Sequence, residues 1–359
     1  RVACHAFASS PCRPSPAPSC QNRHMSSKPR VLSLIQPTAE SFHIGNLLGA
    51  VQYWPGLMEA NDCFYGVADL HAFTVQTDPE VLRQRTLLSI AQLVAAGCDP
   101  DRGAVFVQSH VPQHTELMWV FSCLTGFGEA GRMTQFKDKS QKAGADSTNV
   151  GLFTYPILQA ADIVIYGANA VPVGEDQRQH LELSRDLAQR FNTRYGRTLV
   201  VPEPHIMKGT AKIADLQEPT AKMSKSSPAG VLNLLDPLKT IEKRIKSAVT
   251  DSETEIRYDP ENKPGVSNLL TIIHGFTGEP IHAIVDSLQG QMYGELKKRA
   301  AEAVLAYAEP FQAKVHALLD DRAELENVMA KGAAKASTAA EHTLHAVYAA
   351  IGFVPASGR

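Results

Sequence analysis

No stretch of this 359-residue sequence stays apolar for the roughly 18 to 20 residues that a membrane-spanning helix needs, which excludes such a helix. A strong charge of either sign is missing too: the formal net charge is -2 and the sequence pI about 6.7. Proteins that coat nucleic acid without selectivity lean on a large basic excess, so a nucleic-acid partner must meet local basic patches here. No Cys-x-x-Cys pair occurs among the six cysteines. Zinc and iron–sulfur spacing is therefore absent, as is a dense disulfide framework. Cys63, Cys98 and Cys123 each stand alone in apolar segments and are expected to be buried free thiols. Carboxylates are lacking until Glu40, while residues 1 to 30 are rich in Ser, Pro, Ala and Arg. Such a leader (residues 1–29) is disordered by composition, and residues 1 to 24 read as upstream, targeting or cloning-derived sequence, an organelle transit peptide being one form.

What is present is 44% apolar residues, enough for a sizeable core in two domains or in one with a large appendage. From Val31 onward, short apolar runs alternate with amphipathic stretches, the pattern of an α/β protein with a mainly parallel sheet. Val31 to Ile35 reads as a first strand, Gly45 to Trp54 as a helix, Cys63 to Val67 as a second strand, Pro79 to Ala96 as a helix stopped by Gly97, and Val105 to Gln108 as a third strand. This is one half of a doubly wound, Rossmann-like sheet. Ile157 to Ala161 and Ile163 to Tyr166 read as a return into the sheet, and Glu175 as the acidic opening of a helix carrying Leu183, Leu187 and Phe191 on one face. After about Leu232 the stretches Lys239–Val249, Asn268–His274, Ile281–Leu288, Tyr293–Tyr307, Arg322–Ala330 and Ala339–Ala350 all read as helices, with Gly332 a helix stop.

Two motifs carry chemistry. Directly after the first strand, Gln36-Pro37-Thr38-Ala39-Glu40-Ser41-Phe42-His43-Ile44-Gly45-Asn46 places His-x-Gly at a helix start, where bare backbone N–H groups admit an anion or nucleotide. Far downstream, Ala221-Lys222-Met223-Ser224-Lys225-Ser226 sets two lysines among small polar residues in a loop. Ammonium groups on such a loop can follow charge developing on a departing pyrophosphate. Taken singly, His-x-Gly is usually a helix-start turn and a lysine loop a solvated surface. Gly126 to Gly131 also matches Gly-x-Gly-x-x-Gly, but the polar Arg132–Ser140 stretch that follows is no dinucleotide helix, so it reads as a flexible connection.

In this order and at this separation the two motifs resemble the His-Ile-Gly-His and Lys-Met-Ser-Lys-Ser signatures of class I aminoacyl-tRNA synthetases. The likeness runs on through Met133-Thr134-Gln135-Phe136-Lys137, Thr154-Tyr155-Pro156, Gln159-Ala160-Ala161-Asp162-Ile163, Val171-Pro172-Val173-Gly174-Glu175-Asp176-Gln177 and Ser247-Ala248-Val249-Thr250-Asp251-Ser252, which is similar to the tryptophanyl branch. A tyrosyl-type enzyme is the near rival, sharing fold and reaction.

The resemblance implies a Rossmann-like catalytic domain over residues 30–214, a mobile loop over 215–236, and a helical anticodon-binding region over 237–359 whose last helix packs back on the catalytic domain. It implies attack of the tryptophan carboxylate on the α-phosphorus of ATP, taken with Mg²⁺, followed by transfer to the tRNA 3′ end. Lys222, Lys225, Lys139 and Gln36 would be catalytic. ATP would meet Gln36, His43, Gly45, Asn46, Gly174, Asp176, Lys139, Lys222, Met223, Ser224 and Lys225. Tryptophan would meet Asp162 through its indole N–H, with Tyr155, Gln159, Gln177, His71, Val171 and Val173 around it. No structural metal is implied, and a cytoplasmic homodimer is expected, or an organellar one if the leader is a transit peptide. Lys239, Lys243, Arg244 and Lys246 form a basic helical face able to touch phosphate, although a solvated face is the commoner meaning.

Three departures stand out: Asn46 closes the first signature instead of His, the turn before it is a residue longer than in some relatives, and Leu34 occupies a strand position where relatives usually carry glycine close to the substrate. A leucine there either has a seat made for it or crowds the pocket.

Overall fold

Strands β1 (Arg30–Ile35), β2 (Asp62–Val67), β3 (Ala104–Val107), β4 (Ala170–Pro172) and β5 (Glu203–His205) lie parallel in the order β3-β2-β1-β4-β5. They belong to a computed structural model that describes residues 28–75, 77–134, 149–168, 170–172, 177–205, 212–224 and 227–355. Helices α1 (Ile44–Gly49), α2 (Trp54–Ala60), α3 (Asp69–Ala72), α4 (Pro79–Ala95), α5 (Gln113–Leu124), α6 (Phe127–Ala130), α7 (Val150–Ile165) and α8 (Arg178–Tyr195) accompany the sheet. Then follow α9 (Leu238–Lys246), α10 (Pro264–Thr277), α11 (Ile281–Ser287), α12 (Tyr293–Asp320) and α13 (Arg322–Ile351).

The strands are apolar on both faces because both faces are covered. Val31, Tyr65, Val67, Val105 and Val107 join a core with α1, α4 and the C-terminal helices, while Leu32, Phe64 and Phe106 join another with α5, α7, α8 and the end of α13. The chain builds outward from β1 to β3 and then crosses to β4 on the other side of β1. In a doubly wound sheet the crevice at the carboxyl ends of such a reversal is where ligands bind.

Several elements differ from the sequence reading. The Gly45–Trp54 stretch is broken: Ala50 leaves helical backbone at φ -150, ψ -65, a 3-10 turn follows, and Pro55 sits in the first turn of α2, where its missing N–H costs nothing. Ile157–Ala161 and Ile163–Tyr166 are not strands but parts of one helix, α7, packed between α5 and α8. A continuously apolar run does not by itself separate a buried helix from a buried strand. The helix expected to open at Glu175 starts, among the described residues, at Arg178 with no acid in its first turn; Glu175 itself lies outside them. Gly126–Gly131 contains the short helix α6, fixed by Glu129, which accepts from the Gly126 N–H at 3.2 Å and from Arg190 at 3.0 Å. Cys63 and Cys98 are buried but Cys123 is exposed.

Gly332 does not stop a helix. It lies inside the 30-residue α13, where a Cβ would stand 1.8 Å from the Val105 carbonyl oxygen. The missing side chain lets α13 lie directly on β3, and Lys335 Nζ then reaches the carbonyls of Pro100, Asp101 and Gly103 at 2.9 to 3.1 Å.

Candidate active site

A cavity of about 340 Å³ opens at the carboxyl end of β1 and is lined by Leu34, Gln36, Asn46, His71, Gln159, Asp162 and Gln177, with apolar neighbours such as Val51 and Trp54. Two cavities of similar size, one between α5 and the end of α13 and one beside residues 254–257, lie away from the sheet reversal. Only the first joins apolar walls to convergent buried polar groups at that reversal, the combination expected of a small-molecule site.

Its floor is Asp162, a fully buried carboxylate on α7. His71 Nε2 is 2.7 Å from Oδ2, and Gln108 Nε2 donates to both oxygens at 2.8 and 2.9 Å. His114 Nδ1 stands at ion-pair distance, 2.6 Å from Oδ1, and its other ring nitrogen meets the Tyr166 hydroxyl at 2.7 Å. Burial alone pushes this acid up; His114 and then His71 outweigh it and hold Asp162 well below the usual carboxylate range. The result is a fixed negative charge in the lining of a cavity with mixed apolar and polar walls; with two imidazoles and a shared Gln108 amide already on it, an incoming N–H would share or displace one of those contacts. Gln159 Nε2 donates to Gln177 Oε1 at 3.1 Å, so the two amides hold each other at the cavity wall.

His43 caps α1. Its Nδ1 accepts from the Asn46 N–H at 3.2 Å while Asn46 Oδ1 accepts from the His43 N–H at 3.3 Å, a reciprocal capping box. Gly45 is needed for this, since a Cβ there would meet the His43 ring at 2.9 Å, and its next neighbour is the Met223 Cβ at 3.8 Å. Gly45 of the first signature and Met223 of the second, 178 residues apart in the chain, thus meet in space.

The lysine loop grows from a pinned stem. Met223 is buried and its N–H donates to the Ile213 carbonyl, leaving Lys222 exposed beside it. Asp215 is the hub: Oδ1 accepts from the N–H groups of Gln217 and Glu218 at 2.8 and 3.0 Å, and Gly230 packs so closely that a Cβ would lie 1.6 Å from that oxygen. Burial raises this acid, but the Ser227 side chain and the two backbone donors prevail and its pKa is lowered. The stem joins the first signature through the Ile44 N–H and Leu232 carbonyl, and the helical region through Asn268, which exchanges two hydrogen bonds with the Ala214 backbone. Arg244 of the basic α9 face turns back to this stem, pairing with Asp236 and donating to the Val231 carbonyl.

Of the residues singled out in the sequence, Gln36, Asn46, His71, Gln159, Asp162 and Gln177 share the cavity. Tyr155 stands one layer out, edge-on to His71 at 6.2 Å, and His43, Gly45, Lys222, Met223 and Ser224 are not part of the lining. Val171 is in β4, paired in register with Pro204. Lys139, Val173, Gly174, Asp176 and Lys225 lie outside the described residues. Sequence reasoning missed Gln108 and His114, the two buried partners of Asp162; the one available signal was a glutamine at the carboxyl end of a strand.

The family model described as tRNA synthetases class I (W and Y) matches residues 25–308. The chain is 58% identical over 333 residues to tryptophan–tRNA ligase 2 of Streptomyces avermitilis, covering 92% of this chain and 99% of that one. With the tryptophan–tRNA ligase of Corynebacterium glutamicum it shares 59% over 327 residues, 90% and 95% of the two chains. Among solved structures it is similar to tryptophanyl-tRNA synthetase from Mycoplasma pneumoniae, with TM-score 0.82, 36% identity and coverage of 91% and 98%. The enzyme from Campylobacter jejuni, complexed with ADP and tryptophan, gives TM-score 0.80, 34% identity and coverage of 90% and 100%.

Proposed function

The chain belongs to the class I tRNA synthetases for tryptophan and tyrosine, and from that premise we propose that it is a tryptophan–tRNA ligase, which activates L-tryptophan with ATP to tryptophanyl-adenylate and pyrophosphate and then loads tryptophan onto its tRNA. The observation that carries the choice of tryptophan is Asp162, a buried charged acceptor in the lining of a cavity that also has apolar walls such as Leu34, Val51 and Trp54. An indole N–H offers this carboxylate a donor that a phenylalanine ring lacks, a difference of the kind that gives discrimination of about 10⁴ to 10⁵.

In this reading Gln159 and Gln177 hold the α-ammonium end with Tyr155 behind them, Val171 and Val173 complete the wall, and His71 fixes the acid. Gln36 and Asn46 face the adenosine, His43 and Gly45 shape the phosphate approach, and Gly174 and Asp176 border the ribose side. Lys222, Lys225 and Lys139, with Ser224 beside them, neutralise the triphosphate as pyrophosphate leaves. Positioning and charge stabilisation supply most of the acceleration. Magnesium enters as the substrate complex Mg·ATP; among the described residues no group of three His, Cys, Asp or Glu side chains is placed to hold an ion.

The helical region 237–359 is the anticodon-binding part in this reading, with the α9 lysines close enough in sequence to the loop to touch tRNA phosphate. The chain works as a cytoplasmic homodimer. Phe73, Trp119, Phe127 and Val150 are 68% to 83% exposed, and the Asn149–Thr74 hydrogen bond holds the segments that carry Phe73 and Val150 together. Among the described residues no helix is long and apolar enough to cross a membrane. ATP–pyrophosphate exchange tests the central claim: exchange should depend on tryptophan, and exchange supported by tyrosine alone overturns it.

A further inference from the structure

Three residues stand abreast across the sheet. Leu34 of β1 is in register with Gly66 of β2, and Gly66 with Phe106 of β3. Gly66 has no side chain, and both neighbours lean into the space. A Cβ there would meet Leu34 Cδ2 at 2.6 Å and Phe106 Cζ at 3.0 Å. The first approach is one that real Cβ atoms do not make, so any other residue at 66 must displace Leu34.

Leu34 also lines the cavity that contains Asp162 and Gln159. A side chain at 66 would therefore press Leu34 toward the cavity that it already lines. Phe106 extends the row, its ring stacked 6.1 Å from His114, which in turn touches Asp162.

We infer that Leu34 and Gly66 form a matched pair that sets the shape of the amino-acid pocket: Gly66 seats Leu34 against the sheet, and Leu34 so seated narrows the cavity and excludes ring-substituted tryptophans. Leu34 is then a specificity-determining residue, and Gly66 the residue that makes it compatible with activity. The inference rests on the tryptophan reading of the cavity.

Pyrophosphate exchange with tryptophan and with 4-, 5-, 6- and 7-methyltryptophan tests it on the full chain. Leu34→Gly and Leu34→Ala should raise relative kcat/KM for at least one methylated substrate by about 10-fold or more, the scale set by a methylene in an apolar pocket. Gly66→Ala should raise KM for tryptophan by about 10-fold with a smaller change in kcat, and adding Leu34→Gly to it should remove most of that rise. An unchanged KM in folded Gly66→Ala, or wild-type preference in both Leu34 variants, overturns the pairing. Should Gly66→Ala fail to fold by circular dichroism, the Leu34 variants decide alone, because they only delete atoms beside a glycine. Wild-type exchange absent with tryptophan sinks the functional reading and this inference together; exchange present with the preference unmoved sinks the inference only.

Discussion

His71 Nε2 lies 2.7 Å from Asp162 Oδ2, joining α3 to the last turn of α7 across 91 residues of chain. With Gln108 and His114 on the same carboxylate, four elements of the domain converge on one charge. A buried charge is tolerated only when so enclosed, and its partners inherit the same dependence.

Asp162→Ala should therefore fail twice. Tryptophan-dependent exchange is expected to fall by about 10⁴-fold. Chemical denaturation should show a loss of about 3 to 5 kcal/mol, since two imidazoles and an amide lose their acceptor. A variant that keeps wild-type stability and exchange contradicts the network.

Acid sensitivity carries the same signature. Asp162 is held below the unfolded aspartate value of about 3.9, so its stabilisation is fully present above that pH and is lost as pH falls toward the folded value. Stability of the wild type should drop below about pH 4 more steeply than that of Asp162→Asn, whose amide does not titrate in that range. Parallel curves from urea melts between about pH 2.5 and 6 would refute this.

Gly230→Ala places a methyl group where Asp215 Oδ1 already sits, 1.6 Å away. The acid must leave its hub, and the stem of the lysine loop loosens. Stopped-flow and exchange assays should show kcat for adenylate formation reduced about 10- to 100-fold, with tryptophan affinity by equilibrium dialysis nearly intact. A loss confined to tryptophan binding would place the loop's anchor elsewhere.

Gly332→Ala should destabilise the whole catalytic domain by about 2 to 3 kcal/mol, because its Cβ would collide with the Val105 carbonyl. Alanine is the better helix former, so any gain in urea midpoint would show that α13 does not lie on β3 in solution.

Trp119 is 68% exposed on α5. Trp119→Glu should shift the sedimentation coefficient from dimer toward monomer at micromolar concentration, and an unshifted dimer would locate the subunit contact on another face.

The sheet's first half was legible because β1, β2, β3 and α4 carry their own punctuation: short apolar runs, Asp78 ahead of Pro79, and Gly97 at φ +101. The lysine loop and His-x-Gly turn stood out in the sequence for a related reason, since each motif is a run of contiguous residues. α7 was misread because burial on nearly every side erases the helical period, and that error broke one helix into two runs on either side of Asp162. Gln108 and His114 could not be read at all: what makes them matter is distance to an acid some 50 residues away, and nothing local encodes it. Gly332 shows the converse case, a residue whose usual local meaning was overruled by a strand more than 200 residues upstream.

The clasp of α13 over β3 bears on how the molecule is made. β3 is the outer strand on its side of the sheet and is synthesised early, yet its cover is among the last segments of the described chain to be translated. Until Gly332 and Lys335 have left the ribosome, that rim stays open to pairing with a neighbouring nascent chain. Completion of the adenylate-forming half therefore has to wait for the far end of the polypeptide, and a ribosome that stalls before residue 332 releases a product with a sticky, half-finished sheet.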